Sequence, residues 1–129
     1  MTGIDAYLGE GAKALSVHAQ RLDLIASNIA NAATPGFKAR DIDFADALKA
    51  TTSSSAPLRT DPRHLSTTNS DSLATEAAYR VPHQASLDGN TVELGTEQVA
   101  FAENAVRYET TLSILGGRIK TLMSAIKGE

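Results

Sequence analysis

The residues able to do chemistry are few and scattered. His18, His64 and His83 lie far apart and share no ligand spacing. His18 falls on a helical stretch, away from its apolar stripe, and reads as solvent-facing. Asp41 and Asp43 could meet a cation, but two carboxylates without further oxygen ligands nearby make a poor cation site. They read instead as the wet face of a short extended piece. Cys is absent, which removes disulfides, thiolate metal sites and thiol nucleophiles. No G-x-x-x-x-G-K-[ST], H-E-x-x-H or G-x-S-x-G pattern occurs, and no region gathers a nucleophile, a base and an oxyanion site. The sequence assigns no catalytic, cofactor or metal residue, and we read it as a non-enzyme with no cofactor.

The chemistry that remains is that of a turn. In "SNIANAATPGFKARDIDF", Ser27 to Phe44, Pro35 disfavours helical geometry at Thr34, so a helix must stop there or just before. Pro35-Gly36 suits the centre of a type II turn, because glycine accepts positive φ. Asn28 and Asn31 are weak helix formers whose amides can bond to a loop that folds back. Phe37 is then placed to cover the helix end. A cap needs only a glycine; Asn28, Asn31, Thr34, Pro35, Gly36 and Phe37 together also fix the direction in which the chain leaves.

Two long elements must position that turn. Leu8, Ala12, Leu15, Ala19, Leu22, Ala26 and Ile29 alternate spacings of four and three, a heptad seam with alanine on one track. Phe101, Ala105, Tyr108, Leu112, Leu115, Ile119, Leu122 and Ile126 repeat the beat near the C-terminus. That helix is expected to begin between Glu93 and Glu97, where carboxylates suit the positive end of the macrodipole. It is expected to end at Lys127-Gly128. Small residues facing large ones let two helices approach closely and still fill the space. The two segments are therefore predicted to pack against each other, antiparallel. Gly116-Gly117 interrupts the second helix, either as a tolerated kink or as a place where another backbone comes close.

The middle is different in kind. Nearly half of residues 51–75 are Ser or Thr, and such a stretch cannot bury enough apolar surface to offset its chain entropy alone; we expect it to be mobile in the monomer. "DIDF" and "AYRVP" flank it as short extended pieces, "DFADALKA" as a helical turn or two, and "LDGN" as a turn before the last helix. The fold class is mainly α: long N- and C-terminal helices paired as a coiled-coil-like core, with a loop-rich middle. Its parts are 1–36 (first helix and turn), 37–90 (middle) and 91–129 (last helix), within one domain.

Composition agrees. The 129 residues suit one domain. They are 42% hydrophobic but only 5% aromatic, which favours an Ala/Leu/Ile interior. A net charge of −3 without a basic cluster points away from nucleic acid. No segment approaches the roughly 18 continuous apolar residues of a membrane helix. "MTGIDAYLGEGAKAL" lacks the basic and apolar regions of a cleaved secretory signal, so export would use another route.

These residues carry a resemblance. "LDLIASNIANAATPGFKARDIDF" is similar to the N-terminal signature of the bacterial flagellar axial and rod proteins, roughly N-x-A-N-x-x-T-P-G-[YF], met here by Asn28, Ala30, Asn31, Thr34, Pro35, Gly36 and Phe37. "SLDGNTVEL" and "FAENAVRYETTLSILGGRIKTLMSAIKG" resemble the later part of a proximal-rod member. The Ser/Thr-rich centre lies outside the likeness, and Gly95-Thr96 departs from the acidic start usual for the last helix. The resemblance implies terminal helices paired into a core domain that stacks helically, a place in the basal-body rod on the periplasmic side of the inner membrane, and a part in transmitting motor torque. It implies as partners other rod proteins and self, the basal-body membrane ring with its adaptor protein, and the flagellar type III export apparatus, with no nucleic acid and no membrane span.

Apolar residues also lie off the two seams: Val17 and Ile25 on the first helix, and Val99, Val106, Ile114 and Met123 on the last. On a lone hairpin they would face water, so they are expected to form subunit contacts. The rival reading is a small helical-hairpin adaptor or export chaperone that binds one partner helix and forms no polymer.

Overall fold

Both heptad segments are helices, and each ends where its local chemistry stops it. A computed structural model describes residues 3–52 and 77–128. The elements are helix α1 (Gly3–Ala30), strand β1 (Arg40–Asp41), helix α2 (Phe44–Thr52), strand β2 (Ala78–Tyr79) and helix α3 (Leu94–Lys127). At 1.5 Å per residue, α1 is about 42 Å long and α3 about 51 Å. α3 stops at Gly128, whose left-handed φ of 78° lets its N–H reach the Ser124 carbonyl at 3.0 Å. Of the predicted middle, 53–76 lies outside the described residues, as does His64.

α1 and α3 pack as an antiparallel pair. Tyr7 meets Arg118, Gly11 meets Leu115, His18 meets Asn104 and Asn28 meets Glu97. β1 and β2 form an antiparallel ribbon that pairs Arg40 with Tyr79 and Asp41 with Ala78. α2 follows at once, capped by Asp43, whose Oδ1 accepts the N–H groups of Ala45 (2.8 Å) and Asp46 (3.2 Å). Asp43 is thus a cap and not a cation ligand. Val17, Ile42 and Ala47 form the buried apolar cluster between α1 and this module, with Leu24, Phe44 and Ala77 packed around them.

The pairing of the terminal helices is as predicted, but its phase is not. The fully buried or close-packed positions at the centre of the pair are Gly11, His18 and Ile25 on α1 and Glu97 and Asn104 on α3. Gly11, His18, Ile25 and Asn104 lie one residue before Ala12, Ala19, Ala26 and Ala105, and Glu97 lies seven before Asn104. Leu8, Leu15, Leu22 and Ile29 are half-buried along one edge of the interface, and so are Tyr108, Leu115 and Leu122. Ala12 and Ala26 are exposed. Leu112, Ile119 and Ile126, predicted for the seam, are 50%, 42% and 79% exposed, and Phe101 is 40% exposed. The physical reason is that the polar side chains at the centre all have partners: His18 pairs with Asn104, and Glu97 with Asn28 and Arg80. Burying them costs little once they are satisfied.

Val17 and Ile25 need a second correction. Predicted as subunit contacts, both are fully buried within the single chain. Val17 packs on the α2 module, and Ile25 sits on the track that faces α3. Val99, Val106, Ile114 and Met123 are exposed.

Candidate functional site

The turn after α1 is built from both ends of the chain. Past Ala30 the helix tightens, with Asn31 N–H bonded to the carbonyls of Ser27 and Asn28 and Ala32 N–H to Ile29. The Asn31 amide donates to the Ser27 carbonyl at 2.8 Å and its oxygen accepts the Thr34 hydroxyl at 3.2 Å. Phe37 N–H then bonds to the Thr34 carbonyl, and Gly36 stands at φ +73°, the geometry of a type II turn. Among the described residues nothing lies within 4 Å of where a Gly36 side chain would project. Glycine is required there by backbone conformation alone.

The segment Ser86–Thr91 receives this turn. Asp88 Oδ1 accepts the Ser86 hydroxyl and the Asn90 N–H, which folds the segment on itself. Gly36 N–H then bonds to the Asp88 carbonyl at 2.9 Å, and Thr91 N–H to the Phe37 carbonyl at 3.0 Å. The Asn90 amide reaches the carbonyls of Asn31, Ala32 and Thr34 at 3.1, 2.9 and 3.0 Å. The Asn31 and Thr34 carbonyls also accept the N–H groups of Thr34 and Phe37, so Asn90 adds a shared donor to the turn that ends α1. Asn90 therefore caps α1 from 56 or more residues away. The sequence marked "LDGN" only as a turn; that its last residue closes the first helix could not be read without the fold.

A buried polar chain ties the same end of the helix pair together. The Asn28 amide donates to the Arg40 carbonyl at 2.8 Å and to Glu97 Oε2 at 3.2 Å, while its oxygen accepts the Arg40 N–H at 3.1 Å. Asn28 thus pairs like one more strand residue with the outer edge of β1. Glu97, with no exposed surface, also accepts from Arg80 Nη1 at 2.8 Å. Arg80 bridges on to Asp41, which accepts a fork from Arg21 at 2.8 and 2.9 Å. Charges alternate along Arg21, Asp41, Arg80 and Glu97, so the chain is neutral overall. Burial pushes the Asp41 carboxyl up, but hydrogen bonds from Arg21, Arg80 and the Ile42 N–H outweigh it and hold the group below its ordinary value. The hydrogen bond to Asp41 raises Arg21 in turn.

His18 is the second polar centre, and it corrects the expectation of a solvent-facing histidine. It is 4% exposed. Its Nδ1–H donates to Asn104 Oδ1 at 2.7 Å, and the Asn104 amide returns a bond to the His18 carbonyl at 2.8 Å. The ring stacks on Phe44 at 4.4 Å between centroids. His18 is a satisfied interior residue that registers α1 against α3 and α2. His83 donates its backbone N–H to Glu93 Oε1. Among the described residues no group of three or more His, Asp or Glu side chains could hold a metal ion, and no helix is long and apolar enough to cross a membrane.

Among the described residues nothing packs on the opposite flank of the pair. A helix turns about 100° per residue. In an antiparallel pair, one step forward from the centre therefore turns both helices toward the same flank, and one step back toward the other. Val17 and Leu24, one step back, face α2. Ala12, Ala19 and Ala26, with Ala105, Leu112 and Ile119, are one step forward and share the open flank. The positions the sequence proposed as seam are thus brought together, but as an edge and an outer surface. At Gly116 and Gly117 no other described part of the chain lies within 4 Å of where a side chain would project, so among the described residues no backbone approaches them closely.

What such an arrangement can do is hold two helices in register, aim a loop and present an apolar flank. Comparison with known proteins agrees. Residues 10–38, which include the turn, match the family model described as "Flagella basal body rod protein". Over its whole length and theirs, the chain is 49% identical to the flagellar basal body rod protein FlgB of Cereibacter sphaeroides. It is 42% identical to FlgB of Salmonella typhimurium, covering 97% of this chain and 96% of that one, and 42% identical to FlgB of Escherichia coli, covering 96% and 95%.

Proposed function

We infer the role of this chain from one premise: it belongs to the FlgB family of flagellar basal-body rod proteins. It is a structural subunit of the flagellar basal-body rod and not an enzyme, and the adaptor or chaperone reading finds no support among its relatives. Beyond that, we propose that it occupies the proximal rod, on the periplasmic side of the inner membrane. There it stacks helically with copies of itself and other rod proteins and transmits motor torque. Its further partners in this reading are the membrane ring with its adaptor protein and the type III export apparatus, which would take it without a cleaved signal. The parts 1–36, 37–90 and 91–129 act in this reading as helix and turn, middle and second helix of one subunit.

The observation that carries the reading is the turn at Thr34–Phe37, locked by Asp88, Asn90 and Thr91. A subunit that passes torque must hold the direction in which its middle leaves the helix pair. Here that direction is fixed by bonds from both ends of the chain, next to a charge-balanced interior. Val99, Val106, Ile114 and Met123, exposed on α3, are proposed contacts with neighbouring subunits.

The test is location. A tagged copy in a motile bacterium lacking its own version should restore swimming and copurify with the rod in isolated basal bodies. Recovery only as a discrete soluble complex with one partner would overturn the reading in favour of an adaptor.

A further inference from the structure

We propose that Asp88-Gly89 is a site of covalent modification: with its turn open, Asp88 closes onto the Gly89 nitrogen as a succinimide and reopens as isoaspartate, and the bonds that shut the turn suppress the reaction. The inference goes beyond the rod reading and is tested on the purified chain, so neither stands or falls with the other.

Asp88-Gly89 is the one place in the sequence where an Asp or Asn precedes glycine. Glycine has no Cβ, which leaves its backbone nitrogen open to the side chain before it. In the reaction the Gly89 nitrogen attacks the neutral Asp88 carboxyl at Cγ. The N–Cγ bond forms, the Cγ–O bond breaks, and the amide proton leaves with the carboxyl hydroxyl as water. A water molecule then adds to the former main-chain carbonyl of Asp88 and breaks its bond to the nitrogen. The chain now runs through Cβ and Cγ, a free α-carboxylate is left behind, and the mass is unchanged.

The shut turn withholds both reactants. The Gly89 N–H is committed to the Ser86 carbonyl at 3.1 Å. Asp88 Oδ1 accepts the Ser86 hydroxyl and the Asn90 N–H. Those bonds, the Ser86 hydroxyl first, hold the carboxyl below its ordinary value and so in its ionised, unreactive form. The segment is pinned from outside as well. Gly36 N–H bonds to the Asp88 carbonyl at 2.9 Å, Lys38 Nζ to the Gly89 carbonyl at 2.6 Å, and Ala39 N–H to Thr91 Oγ1 at 2.8 Å. Yet Leu87 and Asp88 are exposed, and a surface loop with few buried contacts opens more readily than a core.

The product no longer fits the lock. Isoaspartate lengthens the main chain by a methylene and removes the Oδ1 that folds Ser86 and Asn90 together. The carbonyl that accepts Gly36 N–H becomes part of a free carboxylate. The Asn90 amide is carried off the Asn31, Ala32 and Thr34 carbonyls it holds. A reaction on the loop thereby unfastens the end of α1.

The full-length chain would be aged at neutral pH in buffer and in denaturant. Trypsin releases Val81–Arg107, in which Asp88 is the only aspartate. Isoaspartate appears there as a second peak of the same mass that resists cleavage before aspartate, whereas deamidation of Asn90 or Asn104 changes the mass. Conversion should be slower in buffer than in denaturant by about tenfold or more, because it waits on local opening. Ser86→Ala removes one hydrogen bond of the lock and should speed conversion in buffer about fivefold. Thr91→Val loosens the segment without touching Asp88 and should also speed it, and both variants should match wild type in denaturant. Equal wild-type rates in the two solvents would overturn the suppression by the turn, as would unchanged rates in both variants. No conversion in denaturant would overturn the site itself.

Discussion

Near the turn, the centre of the helix pair is His18, Asn28, Glu97 and Asn104, every one buried and every one bonded. Near the chain ends it is Gly11 against the Leu115 methyl, with Ile4, Tyr7 and Met123 largely in solvent. The two halves use different physics. Hydrogen bonds and ion pairs are directional, and an unmade one inside a protein is costly, so the near half admits one register of α1 on α3. Dispersion between small and large apolar groups has little directional preference, so the far half follows the register set elsewhere and leaves apolar side chains such as Ile4 and Met123 about half exposed.

The division can be broken at its strongest point. Glu97→Ala leaves Arg80 with one partner fewer and the Asn28 amide without its carboxylate in a closed interior. The expected loss is about 3 kcal/mol of folding stability, read as a lower urea midpoint of the purified protein. Leu112→Ala, on the exposed surface of the far half, should change the midpoint by less than about 0.5 kcal/mol. Similar costs for the two would show that the halves are not built differently. Next in size is Asn90→Ala, which strips three carbonyls at the end of α1 of a shared donor. About 2 kcal/mol is expected, with amide exchange accelerated around residues 28–37 and unchanged near Leu115. Acceleration along all of α1 would mean the turn and the far half are one cooperative unit.

Acid sharpens the same contrast. Asp41 is held below its ordinary value of 3.8 in the folded chain by Arg21, Arg80 and the Ile42 N–H. A depressed carboxyl contributes stability that is present above its unfolded value and lost as pH falls through the folded one. Stability should therefore drop as pH is lowered through and below the ordinary carboxylate value. Asp41→Asn should be less stable at neutral pH and show a shallower acid slope. An unchanged slope in that variant would assign the acid sensitivity to other carboxyls.

How much of this was open to sequence reasoning follows from the range over which each signal acts. Helix ends were legible because Pro35, Gly36 and Gly128 act on their own backbone. The pairing of the terminal helices was legible because apolar heptads are strong and long. Their phase was not. A heptad search places the centre on apolar residues, whereas Glu97 and Asn104, also seven apart and followed on that spacing by Thr111 and Arg118, form a polar track one residue earlier. Nothing local says that Asn104 will meet His18 across 86 positions. Each polar residue read alone looks solvent-facing, and only the partner makes it interior. The same blindness hid Asn90 and sent Val17 and Ile25 to the surface, since α2 and the ribbon that bury Val17 could be placed only by the fold.

The smallest effect concerns Gly117, in the far half. Glycine inside a helix costs about 1 kcal/mol relative to alanine, and no other described part of the chain lies within 4 Å of the position a methyl would take. In the isolated subunit Gly117→Ala should therefore raise stability by up to about 1 kcal/mol, seen as a higher urea midpoint with no change in the near half. Whether swimming survives then decides between the two readings of the glycine pair. If a neighbour's backbone passes there in the assembled rod, the stabilised subunit should assemble poorly. A variant that is more stable and swims normally would make Gly117 a tolerated interruption of α3, and the far half an adhesive surface only where its apolar side chains stand.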